Sequence, residues 1–191
     1  MPMMYQVGNF QYLEDDYCKA ARIPYNTEDL VMEIFVPKTN DGIRTIESKL
    51  NATQLKKWRD AFQPKKGTVV LPIFSIAARQ NLMGVLSTMG LSSAFVEASA
   101  TFTGITNSKT ARIAKFTSGS IIGIEPEGNP TTSKQDLEDA KISKLPGAFY
   151  IKAAHPFFFI IRKTTEDKIL YMGLVIKPRD SIKKSPDNSE E

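Results

Sequence analysis

Between Glu125 and Lys144 the chain runs for about 20 residues with almost no large apolar side chain. It carries Pro126 and Pro130, Lys134, Lys141 and Lys144, and several carboxylates, so it has nothing to bury against a core. A structureless connection of that length is rare inside a compact domain and is usually functional. The segments on either side are of the opposite character. Ile121, Ile122 and Ile124 precede it, and the stretches Ala148 to Ala153, Pro156 to Arg162 and Ile169 to Pro178 follow it as apolar strands. The pattern predicts a long exposed loop held at both ends by β-structure.

Upstream, three short segments read as strands: Asn9 to Leu13, Lys19 to Tyr25 and Asp29 to Pro37. In the third, Leu30, Met32, Ile34 and Val36 alternate with Val31, Glu33 and Phe35, so both faces are largely apolar and a strand covered on both sides is expected. Asn40-Asp41-Gly42 breaks the chain. Two short helices follow, one with Ile43, Ile46 and Leu50 at helical spacing and one with Leu55, Trp58 and Phe62, closed by Pro64. Thr68 to Ile76 reads as a strand in which Pro72, lacking an N–H, marks an edge or a bend. Leu82, Val85, Leu86 and Met89 form the stripe of a third helix that stops at Gly90. Thr110 to Ile124 is expected to be extended, and residues 180–191 to form a solvated, disordered tail.

Composition sets outer limits. With 191 residues one compact domain is the default. A formal charge of +4 falls short of a nucleic-acid-binding signature. No apolar run approaches the roughly 20 residues that span a bilayer. Cys18 is the sole cysteine and His155 the sole histidine, which leaves a zinc site or a Cys–His pair without ligands or partners. Gly90-Leu91-Ser92-Ser93-Ala94 lies near a nucleophile-elbow pattern but follows a helix rather than a strand. Hence no catalytic residue, metal or cofactor is assigned. Glu14-Asp15-Asp16 reads as a solvated turn ahead of a cation site. Lys56, Lys57, Arg59, Lys65 and Lys66 are candidates for a basic surface that would hold a polyanion, against the plainer reading of a solvated helix face. Asn51-Ala52-Thr53 fits the N-glycosylation pattern.

Particular segments carry a resemblance along nearly the whole chain. They are Pro2-Met3-Met4 with Gly8-Asn9-Phe10, Ile23-Pro24-Tyr25, Met32 to Pro37, Leu55 to Trp58, and Val69-Val70-Leu71-Pro72-Ile73-Phe74. To these are added Leu86 to Gly90 with Ala94-Phe95, Phe102-Thr103-Gly104-Ile105, His155 to Phe159 and Tyr171 to Pro178. In this order they resemble the second half of a serpin, the serine-protease-inhibitor fold.

The resemblance implies an α+β protein of mainly antiparallel sheets (the family's sheets B and C and part of sheet A). Three short helices accompany them, with an exposed reactive-centre loop at about 125–145. Residues 1–179 would be the C-terminal part of a serpin domain, with the family's N-terminal helical half not represented. The implied activity is inhibition of a serine protease by a suicide-substrate route in which the cut loop inserts as a strand into the large sheet. Such a protein is no enzyme and needs no cofactor. Its partner is a serine protease, with glycosaminoglycan as a second candidate, and neither nucleic acid nor membrane.

An extracellular, secreted location is implied. Met1 to Met4 shows no signal-peptide pattern, so a cytoplasmic one stays open. By the family's spacing, Gly128 opens a hinge that continues through Asn129, Pro130, Thr131, Thr132 and Ser133. The reactive bond falls at Ile142-Ser143 counted forward from Gly128, or at Leu145 counted back from His155, with Lys141 and Lys144 alongside as alternates. Two features depart from the family. Ser118-Gly119-Ser120 stands where relatives usually have His-Lys-Ala. Pro126 and Pro130 oppose insertion, because proline cannot donate to a β-ladder.

Overall fold

The computed structural model describes residues 3–27, 29–125 and 147–176. Two compact units are present, one of Met1–Phe74 with Gly123–Glu191 and one of Ser75–Ile122. The larger unit is built on a seven-stranded sheet of order β7-β4-β1-β2-β3-β8-β9. Its strands are β1 (Met3–Glu14), β2 (Cys18–Pro24), β3 (Leu30–Pro37), β4 (Gln63–Pro72), β7 (Phe149–Lys152), β8 (Phe157–Lys163) and β9 (Lys168–Val175). All neighbours are antiparallel except β4 and β7. Helices α1 (Ile43–Lys49) and α2 (Ala52–Ala61) belong to the same unit.

The smaller unit holds a two-stranded sheet of β5 (Phe74–Asn81) and β6 (Thr117–Ile124). It also holds helix α3 (Met83–Leu86), which runs on through a wide turn at Ser87–Leu91. Gly90 sits there at φ 100°, a conformation glycine alone adopts at no steric cost, and so marks the expected helix end.

The two-faced apolar pattern of the third strand is what the structure shows. Every residue of β3 after Leu30 is buried, and the strand lies between β2 and β8. Its neighbours are matched face by face. Leu13, Ala20, Phe35 and Phe158 are successive cross-strand partners, and with Ile46, Trp58 and Phe62 from the helical region they form one cluster. Phe35 meets Trp58 at a ring separation of 4.9 Å and Phe158 at 5.7 Å. Helix α2 begins where Asn51 places its side-chain oxygen on the Gln54 N–H at 2.9 Å, the usual N-cap arrangement. Its Trp58 indole then donates to Asp15 Oδ2 at 2.6 Å. Asp15 Oδ1 accepts the backbone N–H groups of Tyr17 and Cys18 at 2.8 and 2.9 Å. One carboxylate thus closes the β1–β2 turn and ties it to the helix. Glu14-Asp15-Asp16 is a structural turn, and among the described residues no group of acids, histidines or cysteines could hold a metal ion.

Glu33 is the buried exception on β3. At 3% exposure it stands directly across from Arg22 on β2, whose Nε donates to Oε1 at 2.9 Å. Arg162 Nε lies 3.5 Å from the same oxygen, an ion-pair contact rather than a hydrogen bond, and Arg162 Nη1 reaches Asp167 Oδ1 at 2.9 Å. Asp167 also takes Arg59 of α2, so the chain of charges runs from β2 through β3 and β8 to the helix. Arg22 further stacks over the Phe62 ring at 4.6 Å.

Several expected boundaries shift. Strand β1 starts at Met3 rather than Asn9, because pairing with β4 extends it by cross-strand hydrogen bonds that a short apolar pattern does not reveal. The single strand expected at Thr68 to Ile76 is two strands broken at Ile73, directly after Pro72. That proline sits where β7 has already stopped pairing with β4, so its missing donor is tolerated. Residues 111–116 are irregular, and the strand begins only at Thr117. The expected tail at 180–191 lies outside the described residues.

Replacing Glu33 by Gln leaves two largely buried guanidinium groups without their shared carboxylate. It is expected to destabilise the protein by about 3 kcal/mol in chemical denaturation, and a loss below about 1 kcal/mol would mean that the network is neutral. A second outcome concerns pH. Burial pushes the Asp15 carboxyl up, but the hydrogen bonds from Trp58, Cys18 and Tyr17 outweigh it and hold the group below its usual 3.8. A carboxylate depressed in the folded state contributes stability above its unfolded pKa and loses that contribution as pH falls through the folded value. The stability gap between the native protein and Asp15→Asn should therefore be full above pH of about 5 and shrink progressively below about 4. A gap independent of pH from 2 to 6 would count against this.

Candidate functional site

The functional candidate is the connection between β6 and β7, and its two anchors are the described part of it. On the entry side β6 is polar and exposed through Ser120 and ends at Ile124, which is buried at 8%. Ile124 and Glu125 line a cleft of about 870 Å3 with Met4, Tyr25, Met32 and Leu71. On the exit side Gly147 makes a turn at φ 83°, and β7 follows with Phe149 and Ile151 buried and Tyr150 and Lys152 exposed.

Strand β7 is only four residues long, yet three features hold it. It pairs in parallel with β4 from Gly67 to Val70, and the Ala153 N–H continues the ladder to the Val70 carbonyl at 2.9 Å. Phe149 stacks on Tyr12 at 4.2 Å with an interplanar angle of 17°, and meets Phe10 edge-on at 6.0 Å. Gly67 leaves the space for that ring, since a Cβ there would lie 2.3 Å from Phe149 Cδ1. Parallel pairing cannot be closed by a tight turn and needs a long connection.

The residues assigned from sequence to the hinge (Gly128, Asn129, Pro130, Thr131, Thr132, Ser133) and to the reactive bond (Ile142, Ser143, with Lys141, Lys144 and Leu145) lie outside the described residues. The five basic candidates are described, and they do not share one surface. Lys56 and Lys57 are exposed on α2. Arg59 is half-buried and engaged by Asp60 and Asp167. Lys65 and Lys66 are neighbours on β4 and so point to opposite faces. Lys65 pairs with Phe10 and lies over the Tyr12 ring at 5.0 Å, on the face away from the cluster around Trp58. Asn51 is exposed at the helix cap.

The groups that could suggest hydrolysis are placed for structure. His155 Nδ1 is 3.3 Å from the Pro156 carbonyl oxygen. Cys18 is fully buried, and burial, with Asp15 next to it, pushes its thiol well above the ordinary range. A nucleophilic cysteine needs the opposite shift. Among the described residues no helix is long and apolar enough to cross a membrane. Sequence reasoning missed the Gly67–Phe149 contact, for which the sole sign was a glycine next to two lysines.

A family description, "Serpin (serine protease inhibitor)", matches residues 1–178. The chain belongs to the serpin family. It is 28% identical over 172 residues to human serpin B13, covering 89% of this chain and 44% of that protein. A serpin-like protein of Thermococcus kodakarensis is 32% identical over 184 residues, covering 94% and 42%. Human neuroserpin is 27% identical over 187 residues, covering 93% and 45%. Among solved structures, uncleaved ovalbumin superimposes with a TM-score of 0.79 at 24% identity, covering 92% of this chain and 47% of that one. Mouse protein-Z dependent protease inhibitor gives 0.72 at 20% identity, covering 93% and 45%. The chain thus spans less than half the length of these relatives, and the fold is that part of the α+β serpin architecture.

Gly67→Ala drives a methyl group into the Phe149 ring and is expected to cost about 1–3 kcal/mol by overpacking. Amide exchange at Ile151 to Ala153 should accelerate more than exchange in β2 and β3. Uniform acceleration across the sheet would show that β7 is not separately held.

Proposed function

We propose that this chain is the bait-bearing part of a serpin-type serine endopeptidase inhibitor, which works as a suicide substrate when the whole fold is present. The observation that carries the proposal is the anchoring of the connection from 125 to 147, with β6 leading into it and the aromatic clip of β7 receiving it. A protease that cuts a tethered segment leaves two ends with different fates. The end on β7 stays fixed by Phe149. The end on β6 is continuous with a strand and can extend it, which is strand addition within one molecule. The energy would come from a native state held by a kinetic barrier, so inhibition requires no acid, base or metal from the inhibitor. The reactive bond in this reading is Ile142-Ser143, with Lys141, Lys144 and Leu145 as alternates, and the hinge runs from Gly128 to Ser133. A serine protease partner and an extracellular location belong to the same proposal.

A second reading, that the chain alone is cut as a plain substrate, is favoured by particular residues. In the described structure β6 has one sheet neighbour, β5. Pro126 and Pro130 stand at the start of the segment that would have to join it. An inserted strand with one neighbour and two missing donors gains too little to distort an attached protease.

The test is incubation with trypsin, chymotrypsin and elastase, read by mass spectrometry and by denaturing gels. Cleavage confined to residues 141–145 is expected, without an SDS-resistant adduct. Cuts distributed elsewhere, with 141–145 intact, would sink the bait assignment. An adduct formed by this chain alone would overturn the substrate reading in favour of full inhibition.

A further inference from the structure

A second cleft is lined by Lys19, Lys38, Tyr150, Lys152 and His155, with Val36, Pro37 and Ile151 around them. Its residues come from distant parts of the sequence. Lys19 is on β2 and Lys38 directly follows β3, while Lys152 ends β7 and His155 lies just beyond it. β7 packs against β2, and this contact brings the lysines to one opening. We propose that this cleft is a binding site for a single oxyanion, a phosphate or sulfate group.

The charge count is the first argument. Three lysines line the cleft, and among the described residues the one carboxylate within ion-pair distance of them is Glu14, whose Oε1 is 3.1 Å from Lys38 Nζ. Glu14 also accepts the Tyr12 hydroxyl at 2.5 Å, which commits its other oxygen. Lys19 stands across from Glu14 in the β1–β2 ladder and shares its field. Lys152 has no carboxylate within ion-pair distance among the described residues. Among the described residues the site keeps an excess of positive charge in a concave surface, where field lines concentrate and a mobile anion gathers.

Size is the second argument. The cleft holds about 200 Å3. Clefts for drug-sized ligands run to roughly 300–1,000 Å3, so this one suits a single charged group rather than a whole organic ligand. Lysine binds phosphate or sulfate as a point charge from several directions, and a guanidinium in its place keeps the charge and the donors. Tyr150, 44% exposed, supplies a hydroxyl that can donate to the same anion.

The experiment titrates the full chain with inorganic phosphate, with inorganic sulfate, and with a heparin-derived tetrasaccharide alongside its desulfated form. Heteronuclear NMR shifts of the residues around Lys19 and Lys152 give the readout. Saturable binding is expected, weakened about tenfold or more by Lys19→Met and by Lys152→Met, retained by Lys152→Arg, and untouched by Lys56→Met. Thermal melts of each variant separate loss of binding from loss of folding. If phosphate matches the tetrasaccharide, the natural source is the free ion. If the tetrasaccharide binds far more tightly and loses that advantage on desulfation and in Lys152→Met, the source is a sulfated polymer. The proposal is overturned if no probe saturates, or if binding follows Lys56 and ignores Lys19 and Lys152. Neither result bears on the bait assignment, which is read by proteolysis.

Discussion

A carboxylate in the middle of a strand buried on both faces is the constraint around which the larger unit is assembled. Glu33 on β3 is almost wholly withdrawn from water and must be satisfied by its neighbours. Arg22 can do so only if β2 pairs with β3 in the register observed, and Arg162 only if β8 lies on the other side. A slip of one residue in either pair would carry the guanidinium to the opposite face and leave the charge alone. Hydrophobic matching of Phe35, Ala20 and Phe158 accepts the same register, so the polar and apolar demands agree. Arg162 then hands the network to Asp167, and Asp167 to Arg59 of α2, which adds a polar tie to the helix that Trp58 and Phe62 already hold by packing.

That rigid frame explains how a short strand can retain the end of a long connection. β7 has four residues and one sheet partner, too little for independent stability. Its hold comes from Phe149 seated on Tyr12, and Tyr12 is fixed because β1 is paired on both sides. The omission of a side chain at Gly67 is what admits the ring. The connection therefore leaves a polar, exposed β6 at one end and reaches a firmly packed β7 at the other.

The sequence made the layout legible wherever burial is absolute. β3 announced itself by apolar residues on both faces, α2 by Leu55, Trp58 and Phe62, and Gly90 by ending a helix. Family motifs supplied the order of elements. Legibility failed where structure depends on a partner strand. The first half of β1 and of β4 is too polar or too mixed to read as strand alone, and each forms because the second half of the other strand, antiparallel to it, supplies its hydrogen bonds. The role of Asp15 was hidden too, because a turn aspartate gives no sign that a tryptophan far along the chain will donate to it.

Charge illustrates the same division between local and non-local information. Lys65 and Lys66 are adjacent, and adjacency suggested a common surface with the lysines of α2. The two-residue period of a strand sends them to opposite faces, and one of them spends its ammonium over an aromatic ring. Lys19 and Lys152 are separated by most of the chain and looked unremarkable in sequence. The contact of β7 with β2 sets them at one cleft, where Lys152 meets no carboxylate among the described residues. A run of like charge therefore indicates a surface only on an element whose period keeps it together. Elsewhere positive potential is a product of topology, and it is created here by the same docking of β7 that holds the far end of the long connection.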